Sequence, residues 1–355
     1  MRRRDDLPAV LHLGPDVRGG MTAARGSLLA SPLSERYRQL FVPTHRGPGP
    51  VRRLAVFLLA LLRLTVWSAR GQGRIVHIHA TVRGSMYRKA VCVLIARALR
   101  RRVVLQVHSG PGDIAGFRAR LDRFSAALFA LAFRVADVVM AVSSASAAAL
   151  ADAFGATDVI VVPNAAPAVA ERSLRRPGPG RAPTAVYLGG FANRVKGGSV
   201  LLEALARPEL AELHAVLAGP GELPETGRRL LAARAALEWR GWLDASEKDE
   251  LLRTADIFVI ASTSEGLPMA LLEALSLGLA IVATEVGGVP DVVEPEVSAI
   301  VVPPGDPAAL ASGLARLAAD PALRERLGGA ARERARSFSA ELIAERIDAV
   351  YRRLL

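Results

Sequence analysis

At 355 residues and 37.6 kDa the chain is long enough for two domains of roughly 100–200 residues each. Its 51% hydrophobic and 23% charged residues exclude a disordered or fibrous protein, and its single cysteine, Cys92, excludes a disulfide framework and a cysteine-rich zinc site and fits a reducing compartment. The net charge of +12 is uneven: residues 1–170 carry 24 Lys+Arg against 9 Asp+Glu (+15) and residues 171–355 carry 22 against 25 (−3), an asymmetry that points to a polyanionic partner such as nucleic acid, an anionic membrane or a phosphorylated substrate.

Basic Met1–Arg4 is followed by Asp5-Asp6 and an apolar run of only strand length, so no cleavable leader is expected. Alternating strand and helix patterns then run along the chain, the mark of α/β domains with parallel sheets. Pro8–Gly14 reads as a strand, Val17–Gly20 as a tight loop and Met21–Ala30 as a helix. Leu54–Trp67 is the most apolar segment, but 14 residues with Arg63 inside fall short of the ~20 that span a bilayer. A buried helix is expected there, with an interfacial helix as the alternative. Ile75–His79 is a strand, Ser85–Leu99 a helix, and Arg102–His108 a strand running into Ser109-Gly110-Pro111-Gly112. Phe117–Arg134 reads as one helix, and Asp137–Val142 and Val159–Val162 as strands.

Residues 165–183, rich in proline and glycine and carrying Arg175, Arg176 and Arg181, have linker composition. After them the alternation restarts, with strands at Ala185–Leu188, Ala215–Ala218, Ala255–Ala261, Ala280–Ala283 and Ser298–Val302. Helices are expected from about Gly198, after Ala218 and over Pro268–Leu277, and Pro307–Ala319, Pro321–Ser337 and Ala340–Leu354 close the chain. Ligands of open parallel sheets bind beyond the carboxyl ends of the strands.

The densest chemistry lies there, in Ala261–Asp291. A buried strand enters a polar Ser262-Thr263-Ser264-Glu265-Gly266 loop, and Pro268 suits a helix start because its missing N–H has no partner to lose. The free amides near Gly266–Ala270 can bind an anion such as a diphosphate. Glu265 precedes that terminus. Glu273 follows one to two turns inside, where a carboxylate can accept from vicinal hydroxyls such as those of a ribose.

This segment, S-x-x-E-G-x-P, then E-A-L-S-x-G, then V-A-T-x-V-G-G-V-P-D-V-V, resembles the Glu-x7-Glu region of the family 4 retaining glycosyltransferases. The resemblance covers nearly the whole chain and implies two α/β, Rossmann-like domains facing across a cleft, the GT-B fold. An acceptor-binding domain is expected over 1–168, a linker over 169–183, a nucleotide-sugar donor domain over 184–337, and a terminal helix, 338–355, packing back on the first domain. Tyr187–Gly198 is similar to the strand and loop that hold the donor diphosphate, with Lys196 on the phosphate. The family's arginine five residues earlier is replaced by Phe191, and Arg194 is the candidate substitute. Donor contacts are further expected from Gly19 and Gly20 after the first strand, and from Trp242, Gly266, Leu267, Pro268, Met269 and Glu273. His108 and Glu265 are the expected catalytic residues, His108 near the donor sugar, where an imidazole can bond its hydroxyls. His77 and His79 read as structural. Arg83, Ser85, Arg88 and Lys89 lie in a stretch similar to one in members that build surface polysaccharides; acceptor binding is expected of them, with plain surface charge as the alternative.

The resemblance implies a hexosyl transfer with retention from a nucleoside-diphosphate sugar, UDP- or GDP-linked, to a saccharide or lipid-linked acceptor in surface polysaccharide or glycoconjugate synthesis. No cofactor and no metal are expected: no Asp-x-Asp motif stands at a strand end, and lysine, arginine and helix dipoles take the metal's role. No nucleic acid is expected either, since only 5% of residues are aromatic and stacking platforms are lacking. A cytoplasmic protein is expected, peripheral on the inner face of the membrane. The rival readings are a nucleotide-sugar epimerase of the same fold and a non-catalytic basic protein binding membrane or nucleic acid.

Overall fold

The computed structural model describes residues 7–17, 20–82, 84–167 and 182–355, with the backbone alone at 21 and 84. Two of the expected site residues, Gly19 and Arg83, and most of the linker segment lie outside the described residues. The chain divides into two compact units, Met1–Ala165 with Ser339–Leu355, and Ala166–Phe338.

In the first unit the elements are β1 (Ala9–Pro15), α1 (Gly20–Leu29), α2 (Leu33–Arg36), β2 (Arg38–His45), α3 (Pro50–Ala69), β3 (Ile75–Ala80), α4 (Gly84–Ala98), β4 (Arg102–Val107), α5 (Pro111–Arg118), α6 (Arg123–Val135), β5 (Val138–Ala141), α7 (Ser144–Phe154) and β6 (Ile160–Val161). The second unit contains β7 (Thr184–Tyr187), α8 (Gly198–Leu205), β8 (His214–Leu217), α9 (Glu225–Ala233), β9 (Leu237–Trp239), α10 (Ala245–Thr254), β10 (Ile257–Ile260), α11 (Met269–Leu277), β11 (Ala280–Thr284), α12 (Val289–Val292), β12 (Ile300–Val302), α13 (Pro307–Ala319) and α14 (Pro321–Arg336). Helix α15 (Ala340–Leu354) belongs to the first unit.

Each unit holds a six-stranded parallel sheet, ordered β2-β1-β3-β4-β5-β6 and β12-β11-β10-β7-β8-β9. The central strands are buried along their whole length, as the near-continuous Val/Ile/Ala runs of parallel strands require. One face of the first sheet packs Leu11, Val76, Val103 and Leu105 against α3, α4, α6 and α7. The other packs Val10, Ile75, Val104 and Met140 against Ile343, Ile347 and Tyr351 of α15. Asp348 of that helix accepts from Tyr37 at 2.6 Å and from Arg36 at 2.6 Å, tying α15 to α2 and the start of β2.

Several elements differ from the sequence expectation. Strand β2 was not expected, and it is an edge strand that tolerates Pro43 because its outer N–H groups meet no partner strand. The single helix expected over Phe117–Arg134 is two, because Asp122 accepts from the amides of Phe124 and Ser125 at 2.8 and 2.9 Å and starts a new helix. Helices α7 and α10 were also unassigned; Ser143 caps one and an Asp244–Glu247 capping box starts the other. The buried helix expected over Leu54–Trp67 is a 20-residue helix covered on one side only. Ala60, Leu64 and Trp67 are buried, whereas Leu54, Leu58 and Leu62 are 58%, 56% and 59% exposed. Among the described residues no helix is long and apolar enough to cross a membrane.

Candidate active site

In the second unit, the loops that follow β7 and β10 meet at the carboxyl end of the sheet, as adjacent strands in the sheet order must. The amide of Thr263 donates to Val195 O at 2.8 Å and ties the two loops together. Tyr187, at the end of β7, shares its hydroxyl between Gly190 O at 3.1 Å and Lys196 O at 3.0 Å. Burial, with the Glu265 charge second, pushes this phenol well above its usual range, so it remains a donor. Two glycines make the close packing possible. A Cβ on Gly197 (φ +74°) would lie 1.7 Å from Ala261 O, and one on Gly287 (φ +54°) 1.7 Å from Glu265 O.

That scaffold brings Lys196 onto Glu265. The ammonium donates to Oε1 at 2.7 Å and to Oε2 at 3.0 Å, and Ser262 Oγ donates to Oε1 at 2.7 Å. Thr284 in turn fixes Ser262 by donating to its carbonyl at 2.6 Å. Both Glu265 oxygens are therefore occupied by hydrogen bonds within the chain. An ammonium has three N–H donors, and two are spent here, leaving one for an anion.

Helix α11 starts one residue later than expected, with Pro268 as its cap and no side-chain cap bond. The amides of Leu271 and Leu272 bond Pro268 O, and those of Met269 and Ala270 precede the first intrahelical bond. Leu267 and Met269 are buried. One turn on, Glu273 is half-buried and its Oε1 accepts from Lys248 Nζ of α10 at 2.5 Å. Glu273 Oε2 and Ser264 Oγ are buried without a hydrogen-bond partner among the described residues. Arg194 is exposed at the start of a 3-10 turn, and Trp242 is 51% exposed after Gly241, so core packing does not account for it.

In the first unit, Gly20 is exposed at the start of α1, and Ser85 and Arg88 are half-buried on α4. Lys89 is fully buried and donates to Thr44 Oγ1. Burial lowers its ammonium to about 7, with Cys92 acting against the shift and Arg88 adding to it. The acceptor contact expected of Lys89 is corrected by this burial: its ammonium faces the core, not the surface.

His108 stands at the end of an imidazole row across three neighbouring strands. His12 Nδ1 and His79 Nε2 are 3.2 Å apart, as are His79 Nδ1 and His108 Nε2. His77, stacked on His79 at 4.3 Å, bonds Gln106 Oε1 through Nε2 at 3.1 Å and Tyr351 through Nδ1 at 2.5 Å. Burial dominates throughout: it lowers His12 to about 3 and His108 to about 4, and takes His77 and His79 well below the ordinary range. His108 turns Nε2 to His79 and keeps Nδ1 buried beside Asn164, so in this conformation the ring nitrogens point inward rather than to a sugar hydroxyl. His12, His77 and His79 are the one group of potential metal ligands among the described residues, but the nitrogens of His77 and His79 are committed to hydrogen bonds. The reading of His77 and His79 as structural agrees with these bonds; the role of His12 had no signal in the sequence beyond a histidine in a strand.

Lys248 was also missed. Its one signal was rarity, since only Lys89, Lys196 and Lys248 are lysine in an arginine-rich chain.

Among solved structures, the fold is similar to sucrose-phosphate synthase from Thermosynechococcus elongatus, with a TM-score of 0.77 at 20% identity over 98% of this chain and 99% of that one. It is likewise similar to Anabaena HepE, crystallised in complex with UDP, with a TM-score of 0.75 at 19% identity over 98% and 100%. Both likenesses place the chain in the GT-B fold. D-inositol 3-phosphate glycosyltransferase of Corynebacterium efficiens is 32% identical over 192 residues, 51% of this chain and 45% of that protein. Alpha-maltose-1-phosphate synthase of Mycobacterium tuberculosis is 33% identical over 187 residues, 48% of each. The matches thus span about half the length of these curated relatives. Residues 23–168 match the family model Glycosyltransferase Family 4, and residues 182–320 match Glycosyl transferases group 1. With one model on each unit and the Glu-x7-Glu helix inside the second, the chain belongs to the family 4 glycosyltransferases.

Proposed function

We propose that the chain transfers a hexosyl group, with retention, from a nucleoside-diphosphate sugar to a saccharide or lipid-linked acceptor. The observation that carries this reading is the pairing of Lys196 with Glu265 beside the uncapped start of α11. As the bond from the sugar's anomeric carbon to the diphosphate breaks, negative charge grows on the leaving oxygens. The remaining Lys196 N–H and the amides of α11 meet that charge with donors already in place, which lowers the barrier. Glu273 offers Oε2 to the ribose hydroxyls. The acceptor oxygen bonds to the same carbon on the face the diphosphate leaves, and its proton passes to a donor phosphate oxygen.

Cations and helix amides of the chain supply the charge that a divalent ion would otherwise supply, so we expect the reaction to run without a metal. UDP, present in the HepE crystal, is the first nucleotide to test. The exposed Leu54-Leu58-Leu62 stripe of α3, with Arg52, Arg53, Arg63 and Arg70 around it and no acidic residue in residues 50–70, supports peripheral binding to an anionic membrane.

The test is donor-dependent sugar transfer by the full chain. Turnover unchanged by EDTA and reduced at least ~10²-fold by Lys196→Ala is expected. Transfer that stops in EDTA, or that survives Lys196→Ala, would overturn the assignment.

A further inference from the structure

Two of the three lysines in this chain each meet one carboxylate of the Glu-x7-Glu pair. Lys196 uses both oxygens of Glu265, at 2.7 and 3.0 Å. Lys248 behaves differently: it bonds only Oε1 of Glu273, at 2.5 Å, from the first half of α10. Oε2 is left screened from solvent and without a hydrogen-bond partner among the described residues. A buried acceptor in that state has lost water without gaining a protein donor, so it can take a donor supplied from outside the chain. The Glu273 side chain is 15% exposed, and Lys248 is the cation beside it.

The choice of lysine matters. A guanidinium is a planar fork that binds both oxygens of a carboxylate, whereas an ammonium is a point donor that can hold one and spare the other. Arginine is the prevailing cation of this chain, and at this position it would close Oε2. We infer that Lys248 is a positioning residue for Glu273, holding the carboxylate turned so that Oε2 takes a hydroxyl hydrogen of the donor's ribose. The inference rests on the donor-site reading above. It adds a specificity element that lies outside the Glu-x7-Glu motif.

Calorimetry on the full chain with UDP, GDP and ADP, and then with the 2′,3′-dideoxy form of the tightest binder, tests it. Wild type is expected to prefer the ribonucleotide by about tenfold or more, as befits hydrogen bonds to a charged acceptor. Lys248→Met and Lys248→Arg are both expected to bring that preference within about threefold while leaving dideoxynucleotide affinity nearly unchanged. A preference retained in either variant, a stronger preference, or an equal loss for both nucleotides overturns the inference. Glu273→Ala separates the two levels. If wild type shows no ribose preference, or Glu273→Ala keeps it, the donor-site reading itself has failed. If Glu273→Ala abolishes the preference and the Lys248 variants keep it, only the role of Lys248 has failed.

Discussion

Gly287 shows how tightly the donor loop is set by single residues. Its φ of +54° costs a side-chain-bearing residue about 1–2 kcal/mol on backbone grounds alone, and its missing Cβ leaves room for Glu265 O, 1.7 Å from where that atom would stand. Gly241 has a similar φ of +62° but nothing within 4 Å of a Cβ. Comparing the two alanine variants therefore isolates the clash from the strain. Gly241→Ala is expected to lower stability by about 1–2 kcal/mol, and Gly287→Ala by about 1–3 kcal/mol more, with weakened nucleotide binding as Glu265 shifts. Denaturant melts read the difference, and equal losses at the two positions would contradict it. The candidate residues Glu265, Pro268 and Glu273 were legible because strand, loop, cap and helix of residues 257–277 are contiguous in sequence. Lys248 was not: its partner is 25 positions away, and the pairing appears only once α10 lies beside α11.

Among the elements, α3 departs most from expectation. Apolar residues lie around much of it, so periodicity could not say which side is covered; the fold decides, burying Ala60, Leu64 and Trp67. Leu54, Leu58 and Leu62, spaced four apart, share the open side, and exposed charges on α3 and at its end are arginines. Full-length protein is expected to co-sediment with phosphatidylglycerol vesicles, less so as salt rises, and weakly with phosphatidylcholine. Leu58→Glu with Leu62→Glu should abolish the sedimentation and leave the melting temperature near wild type, since both side chains already face solvent. Undiminished binding by the double variant would rule α3 out as the contact. Strand β2 and the break between α5 and α6 illustrate a second limit. Pro43 argues against a strand until its place at a sheet edge is known, and Asp122 is one acid among helical neighbours until its cap bonds are seen.

For the whole molecule, the buried histidines couple fold and pH. His12, His77, His79 and His108 come from three adjacent strands of the first sheet, a clustering that only the sheet order creates. In the unfolded chain each titrates near 6.5; in the folded chain burial lowers His12 to about 3 and His108 to about 4, with His77 and His79 also well below 6.5. Below pH 6.5 the unfolded state thus binds more protons at these histidines, so their contribution to stability is full above that value and falls as pH drops toward 3. Thermal melts should show this loss beginning above the range where carboxylates titrate. In His12→Asn with His79→Asn the slope between pH 6.5 and 4.5 should flatten. An unchanged slope would contradict the assignment. The charge asymmetry also takes a firmer form. The excess of +15 in residues 1–170 lies almost wholly in the first unit, while the second unit, which carries both Glu-x7-Glu carboxylates, holds the candidate donor site.

The central claim is that this second unit binds a nucleoside-diphosphate sugar through Lys196, Glu265 and Glu273. Titration of the full chain with UDP-, GDP- and ADP-sugars in the presence of EDTA, followed by Lys196→Ala and Glu273→Ala, tests it most directly. One donor class should bind wild type, and each variant should weaken that binding by about tenfold or more while remaining folded. Binding of no donor, or of one whose affinity both variants leave unchanged, would contradict it.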